Sequence, residues 1–254
     1  MLLKDKRALI FGVVNERSLA YGIAEQFHQH GARLGFGYAS APVRKRLEPI
    51  AERLQGEFLI PCDVTSDEQI RSGVDVVAEK WGGVDVLVHS IAYANREDLK
   101  GRFIDTSREG YRIALDVSSY SLVALCRAYE RLLTREASVI TLSYYGSGRV
   151  VANYNAMGVA KAALEACVRY LAVDLGRSGI RINAISAGPV KTLAASAVTG
   201  FNSILSLIEE KAPLKRSISI EDVGKCALYL ASDLSSGTTG DVVFVDSGYN
   251  IMGL

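Results

Sequence analysis

At 254 residues with no linker in view, the chain can bury a large core, and the sequence predicts one domain spanning residues 1–254. Its 29 basic and 28 acidic residues leave a formal net charge of +1, which excludes the field expected of a nucleic-acid or membrane-surface protein. No apolar run approaches the length of a membrane span, and Met1-Leu-Leu-Lys-Asp-Lys-Arg7 lacks the apolar region of a secretion signal, so a soluble cytoplasmic protein is expected.

Short apolar runs then alternate with amphipathic stretches from end to end. The first strand reads as Ala8 to Phe11 and is closed by Gly12. Ser18, Ala20 and Gly22 open the next helix, which places small residues and free backbone N–H groups behind a strand, where a diphosphate binds. The second strand, Arg33 to Tyr38, ends in Ala39-Ser40 where a carboxylate would hold an adenosine ribose. Arg44, Lys45 and Arg46 fit either a 2′-phosphate contact or the solvated face of a helix. After the third strand, Phe58 to Cys62, Asp63 fits either an adenine contact or a turn residue before the next helix. Ser66 with Gln69 gives a capping-box signal, and Ile70, Val74, Val77, Ala78 and Trp81 follow at helical spacing.

The fourth strand, Val84 to Ser90, leads into Ile91-Ala92. A long helix is predicted from about Arg108 to Leu133, a fifth strand from Ser138 to Ser143, and a further helix from about Tyr154 to Leu175 with Gly176 and Gly179 as stop signals. The sixth strand runs from Arg181 to Ser186 and the seventh from Val242 to Asp246. Between them lies an excursion, 190–219, whose apolar residues Leu193, Val198, Phe201, Ile204, Leu205 and Leu207 fit either the core of a small helix pair or a lid over a bound ligand. Seven strands crossed over by helices predict an α/β, doubly wound Rossmann fold with a parallel sheet. Cys62, Cys126, Cys167 and Cys226 are widely spaced among apolar or helical neighbours, as buried reduced thiols are.

Tyr154 and Lys161 are seven residues apart, so on a helix both side chains leave one face about 10 Å apart along the axis. A phenol and an ammonium so placed suit a shared ligand. Together with Gly12-x5-Ser18-x3-Gly22, Asp63-Val64, His89 to Ala92, Tyr144 and the run Ala184 to Ala195, the Tyr-x6-Lys spacing resembles the enoyl-acyl-carrier-protein reductases of bacterial fatty-acid synthesis, a divergent branch of the short-chain dehydrogenase/reductases. The resemblance covers essentially the whole chain.

It implies reduction of the trans-2 double bond of an enoyl thioester on acyl carrier protein, with NADH as cofactor and NADPH as the alternative. Ala39 stands where NADH-preferring relatives often carry glutamine, and Asn95 replaces a proline common in the family. By position the resemblance implies Tyr144, Tyr154 and Lys161 as catalytic residues. It implies cofactor contacts at Gly12, Ser18, Leu19, Ala39, Asp63, Val64, Ile91, Lys161, Val190, Lys191, Thr192, Leu193 and Ala194. Ala94, Tyr144, Tyr154, Met157 and Phe201 fall on the substrate side, no metal is called for, and a homotetramer is implied. Another short-chain reductase, acting on 3-oxoacyl or dienoyl thioesters, and a non-catalytic dinucleotide sensor are the rival readings.

Overall fold

The computed structural model describes residues 1–190, 192 and 201–253, the side chains of 201–204 excepted. Seven parallel strands are ordered β3-β2-β1-β4-β5-β6-β7, where β1 is Arg7–Phe11, β2 Arg33–Tyr38, β3 Phe58–Pro61, β4 Val84–His89, β5 Leu133–Ser143, β6 Arg181–Ala187 and β7 Val242–Val245. The chain starts in mid-sheet, winds outward to β3, then returns to pair β4 with β1 and winds the other way. The order reverses between β1 and β4, and open α/β sheets bind ligands at the carboxyl ends of the strands beside such a reversal.

Strands buried on both faces need side chains that are apolar in both directions. In β1, Ala8 and Ile10 join the core beneath α1 (Leu19–Gln29), α2 (Ala41–Arg53) and α8 (Ile220–Ala231). Leu9 and Phe11 join the opposite core with residues of α3 (Asp67–Trp81), α5 (Ser121–Tyr129) and α6 (Asn155–Gly176). Gly22 and Gly224 let α1 and α8 touch backbone to backbone: a Cβ on Gly22 would lie 2.3 Å from Ile220 O, and one on Gly224 2.3 Å from Gly22 O. Gly22 therefore serves helix packing.

The long helix expected over 108–133 is instead α4 (Arg108–Leu115), a π-turn over Asp116–Tyr120, and α5, with β5 starting at Leu133. Hydroxyls compete with the helical ladder at the break. Ser118 Oγ accepts from Tyr93 N and donates to Tyr93 O, both at 2.9 Å, while Ser121 Oγ donates to Val117 O at 2.7 Å. The capping box read at Ser66 is half formed. Ser66 Oγ accepts from Gln69 N at 3.3 Å, but the Gln69 carbonyl accepts from Asp63 N at 2.9 Å, so the side chain ties β3 to α3. A complete box closes Ser219 and Asp222 at the start of α8. All four cysteines are free, Cys62 and Cys126 buried and the other two half-buried. Among the described residues no helix is long and apolar enough to cross a membrane, and no cluster could ligate a metal.

Candidate active site

The described residues among the expected cofactor contacts lie along the carboxyl edge of the sheet, on both sides of the place where the strand order reverses. Gly12 follows β1 with φ of +104°, and a Cβ there would come within 1.9 Å of Ser90 O, so only glycine lets the end of β1 lie against the end of β4. Ser18 caps α1, its hydroxyl accepting from Tyr21 N at 3.3 Å, and Leu19 opens the helix. Ala39, Asp63 with Val64, Ile91, and Val190 follow the carboxyl ends of β2, β3, β4 and β6. Thr192 N donates to Val190 O at 2.7 Å. Lys191, Leu193, Ala194 and the Phe201 side chain lie outside the described residues.

Asp63 takes the turn role in part: its Oδ1 accepts from Thr65 N and Thr65 Oγ1 at 3.0 and 2.7 Å. Arg44 lies on the exposed face of α2, bonded to Glu48 at 2.8 Å with its guanidinium 5.9 Å from the Tyr38 ring centre.

Tyr154 caps α6 without a side-chain capping bond, so its phenol is left for other work. Its ring packs edge-on against Tyr144, centroids 4.9 Å apart at 67°. Burial, then Tyr144 and Glu165, push the Tyr154 phenol well above the usual range; burial, then Tyr249 and Tyr145, push Tyr144 up to about 12. Both phenols therefore stay protonated at neutral pH and can donate a hydrogen bond. Two turns along α6, Lys161 is buried and its Nζ donates to Leu142 O at 2.7 Å. Burial pulls that ammonium down to about 8, with Glu165 opposing the fall.

These groups fit a dinucleotide. An ammonium has three donors, and Lys161 spends one on Leu142 O, which suits the rest to the paired hydroxyls of a ribose. The capped α1 N-terminus behind Gly12 offers N–H groups to a diphosphate. Ala94 and Met157 pack together with Leu99, Ala114, Ala156 and Ala160 beside Tyr154. A cavity of about 370 Å³ opens past Tyr144, lined by Tyr145, Val151, Pro189, Leu207, Ile208 and Tyr249 among others. Leu207 and Ile208 belong to α7 (Phe201–Lys211), in which Leu205 and Ile208 are buried, so the helix is packed yet borders the cavity.

The family model described as enoyl-(acyl carrier protein) reductase matches residues 12–250. The chain belongs to this family. It is 53% identical over 254 residues to an NADH enoyl-acyl-carrier-protein reductase of Aquifex aeolicus, covering 100% of this chain and 94% of that one. A Bacillus cereus enoyl-acyl carrier protein reductase with NADP+ and indole naphthyridinone superposes with a TM-score of 0.98 at 49% identity, over 100% of this chain and 99% of that one. An Anaplasma phagocytophilum relative in complex with NAD gives 0.97 at 46% identity, over 100% and 97% of the two chains.

For an enoyl reductase of this family, four residues to which sequence reasoning gave no role of their own shape the site. Gly146 gives the two tyrosines room, since a Cβ there would sit 2.6 Å from Tyr154 Cδ1 and 3.2 Å from Tyr144 Cδ1. His89 is fully buried, with Nε2 2.8 Å from Ser121 Oγ and Nδ1 2.8 Å from Thr141 Oγ1. Ser121 Oγ gives its proton to Val117 O, so Nε2 carries a hydrogen; Thr141 Oγ1 has both His89 O at 3.2 Å and Nδ1 within reach, and because burial disfavours the imidazolium the Thr141 proton goes to Nδ1 and the ring is neutral. Burial and then Lys161 push His89 down to about 3, which makes it a brace between β4, β5 and α5. Ser118 holds the Tyr93 backbone and so sets Ala94. Glu165 bonds Ser143, one turn beyond Lys161, and only its i+4 spacing from the lysine was visible in the sequence.

Proposed function

We propose a division of labour among these residues for a chain that catalyses NADH-dependent reduction of the trans-2 double bond of enoyl thioesters on acyl carrier protein, in fatty-acid synthesis. The relatives named for that activity share about half of its residues over the full length.

The chemistry a bound nicotinamide supplies is the hydride for the β-carbon. As the hydride adds, negative charge moves onto the thioester oxygen, and the enzyme needs a donor in place before that charge develops. The Tyr154 hydroxyl is assigned that role. Its phenol remains protonated because burial and neighbouring Tyr144 and Glu165 disfavour the phenolate, so it donates without giving up its proton. Tyr144, edge-on to it, fixes the ring and borders the acyl cavity. Lys161, braced on Leu142 O, holds the nicotinamide ribose and adds positive potential near the oxyanion. Gly12, Ser18 and Leu19 take the diphosphate, Ala39, Asp63 and Val64 the adenosine end, and Ile91 with Val190 to Ala194 the nicotinamide end. Ala94, Met157 and Phe201 meet the substrate, and segment 190–219 covers the acyl chain.

The observation that carries these assignments is the edge-on Tyr144–Tyr154 pair with the buried Lys161 two turns further along the same helix. A homotetramer and a cytoplasmic location accompany this reading, and exposed Tyr170 and Val173 on α6 suit a subunit contact. The test monitors reduced-nicotinamide absorbance with NADH and NADPH against a trans-2-enoyl and a 3-oxoacyl thioester. Oxidation of NADH with the enoyl thioester alone is expected. Oxidation with the 3-oxoacyl thioester, or with neither, would move the assignment to a carbonyl reductase or to a dinucleotide sensor.

A further inference from the structure

The carboxyl end of β5 meets α6 through two charged groups four residues apart. Leu142 O accepts from Lys161 Nζ at 2.7 Å, and the next residue's hydroxyl, Ser143 Oγ, donates to Glu165 Oε1 in a short hydrogen bond. Positions i and i+4 are neighbours on one helix face, so ammonium and carboxylate address the same strand end side by side. Lys161 and Ser143 are each 5% exposed, and Glu165 is partly buried. The lysine lacks bulk water to stabilise its charge, and a buried lysine in apolar surroundings sheds its proton readily.

The other titratable groups around this pair bring no compensating charge. His89, facing Lys161 from β4, is neutral, and Tyr154 at the head of α6 and Tyr144 after β5 are held protonated. Asp116 on the π-turn acts on Arg112, and Cys167 on α6 meets the Ser119 hydroxyl at 3.6 Å. Among the described residues, Glu165 is the one carboxylate whose field favours the charged form of Lys161.

We propose that Glu165, fixed by the Ser143 hydroxyl, is a positioning residue: it is the counter-ion that keeps the Lys161 ammonium charged and braced on Leu142 for its ribose contact. The inference rests on the assignment of Lys161 to the cofactor ribose. Its consequence is a pH range. The lysine holds cofactor only while protonated, and the carboxylate sets how far into alkaline solution that lasts.

The experiment measures the NADH dissociation constant of the full-length protein by the fluorescence of bound NADH from pH 6 to 9.5. Wild type, Glu165→Gln, the double variant Ser143→Ala/Glu165→Met and Lys161→Ala are compared, with a thermal melt of each. The double variant replaces both ends of the buried hydrogen bond by apolar groups, so it leaves no unpaired partner and folds even if Glu165→Gln does not. In either Glu165 variant the alkaline midpoint is expected to fall by at least about one pH unit, which is about tenfold weaker binding near pH 9 with little change at pH 6.

An unchanged midpoint in a folded Glu165 variant overturns the inference, including when affinity drops equally at every pH, because that is the signature of lost packing alone. Wild-type binding by Lys161→Ala would overturn the lysine assignment and this inference with it. Loss of binding in Lys161→Ala with an unmoved midpoint in the Glu165 variants overturns this inference only.

Discussion

Gly146→Ala tests whether the placement of the tyrosine pair, rather than its mere presence, governs turnover. The added methyl would lie 2.6 Å from Tyr154 Cδ1, 3.0 Å from Cε1 and 3.2 Å from Tyr144 Cδ1, while ordinary contact begins at 3.4 Å. The Tyr154 ring must therefore retreat by about 0.8 Å, in an interior packed too closely to absorb it freely. The clash is with the ring edge near its root, so no flexible tip can swing aside, and Tyr144 blocks one side at a centroid distance of 4.9 Å. On the far side, Gly158 of α6 makes room for the Gly146 carbonyl, which would stand 3.0 Å from a Cβ there. A displacement of about 1 Å at a reacting group costs about 10²-fold in rate, and overpacking costs about 1–3 kcal/mol in stability. The expected result is kcat/KM lowered about 10²-fold with NADH affinity within about threefold of wild type, because the cofactor end of the site is untouched. The assay is NADH oxidation with a trans-2-enoyl thioester, with urea unfolding to measure the stability cost. A folded Gly146→Ala enzyme with full turnover would refute the reasoning.

Tyr154→Phe is expected to lower kcat by about 10²- to 10³-fold while NADH still binds, and turnover within a few-fold of wild type would sink the oxyanion role. Because burial lifts both phenols far above neutrality, the alkaline limb of activity belongs to Lys161 near pH 8, and Tyr144→Phe should leave its midpoint in place; its disappearance in that variant would assign the limb to the tyrosine instead. His89 takes up a proton near pH 3 when folded but near 6.5 when unfolded, so the unfolded chain binds more protons in between and stability is lost as pH falls below 6.5. The loss is about 2 kcal/mol at pH 5, and His89→Gln should flatten it in urea titrations at pH 5 and 7; Asp222, held at about 2 by Arg216, adds its own loss only below about pH 4. Ser118→Ala removes both hydrogen bonds to Tyr93 and should cost about 1–3 kcal/mol and raise KM for the enoyl thioester more than it lowers kcat, and an unchanged KM would separate the π-turn from the acyl site.

Much of the fold was legible because its strands are short apolar runs at regular intervals, and a strand buried on both faces has to be apolar throughout. Six of the seven strands begin and end within a residue or so of where the pattern placed them; β5 begins five residues early, since Leu133 to Ala137 carries Thr, Arg and Glu on an otherwise buried strand. The break in the helix over 108–133 was hidden because Asp116–Tyr120 keeps helical periodicity in sequence while Ser118 within it and Ser121 just after it spend their hydroxyls on Tyr93 and Val117. Gly12 was read as the small residue that closes the first strand, and the contact that requires it, the approach of Ser90 O from beyond β4, lies 78 residues away.

The sequence alone determined the features that local rules govern: the parallel α/β class, the placement of Gly12, Asp63 and Ile91 after strand ends and of Ser18 at the head of a helix, and the common face of Tyr154 and Lys161. Helical and strand periods act between near neighbours, so a linear reading captures them. Only the tertiary structure decided which side chains those elements press together. That Gly146 gives the tyrosines room, that His89 is neutral, that Gly22 packs α1 on α8, and that Glu165 stands beside Lys161 over the end of β5 all depend on contacts across the sheet. Burial and electrostatic field are properties of the folded interior, where distant residues meet out of water, and no local pattern carries them.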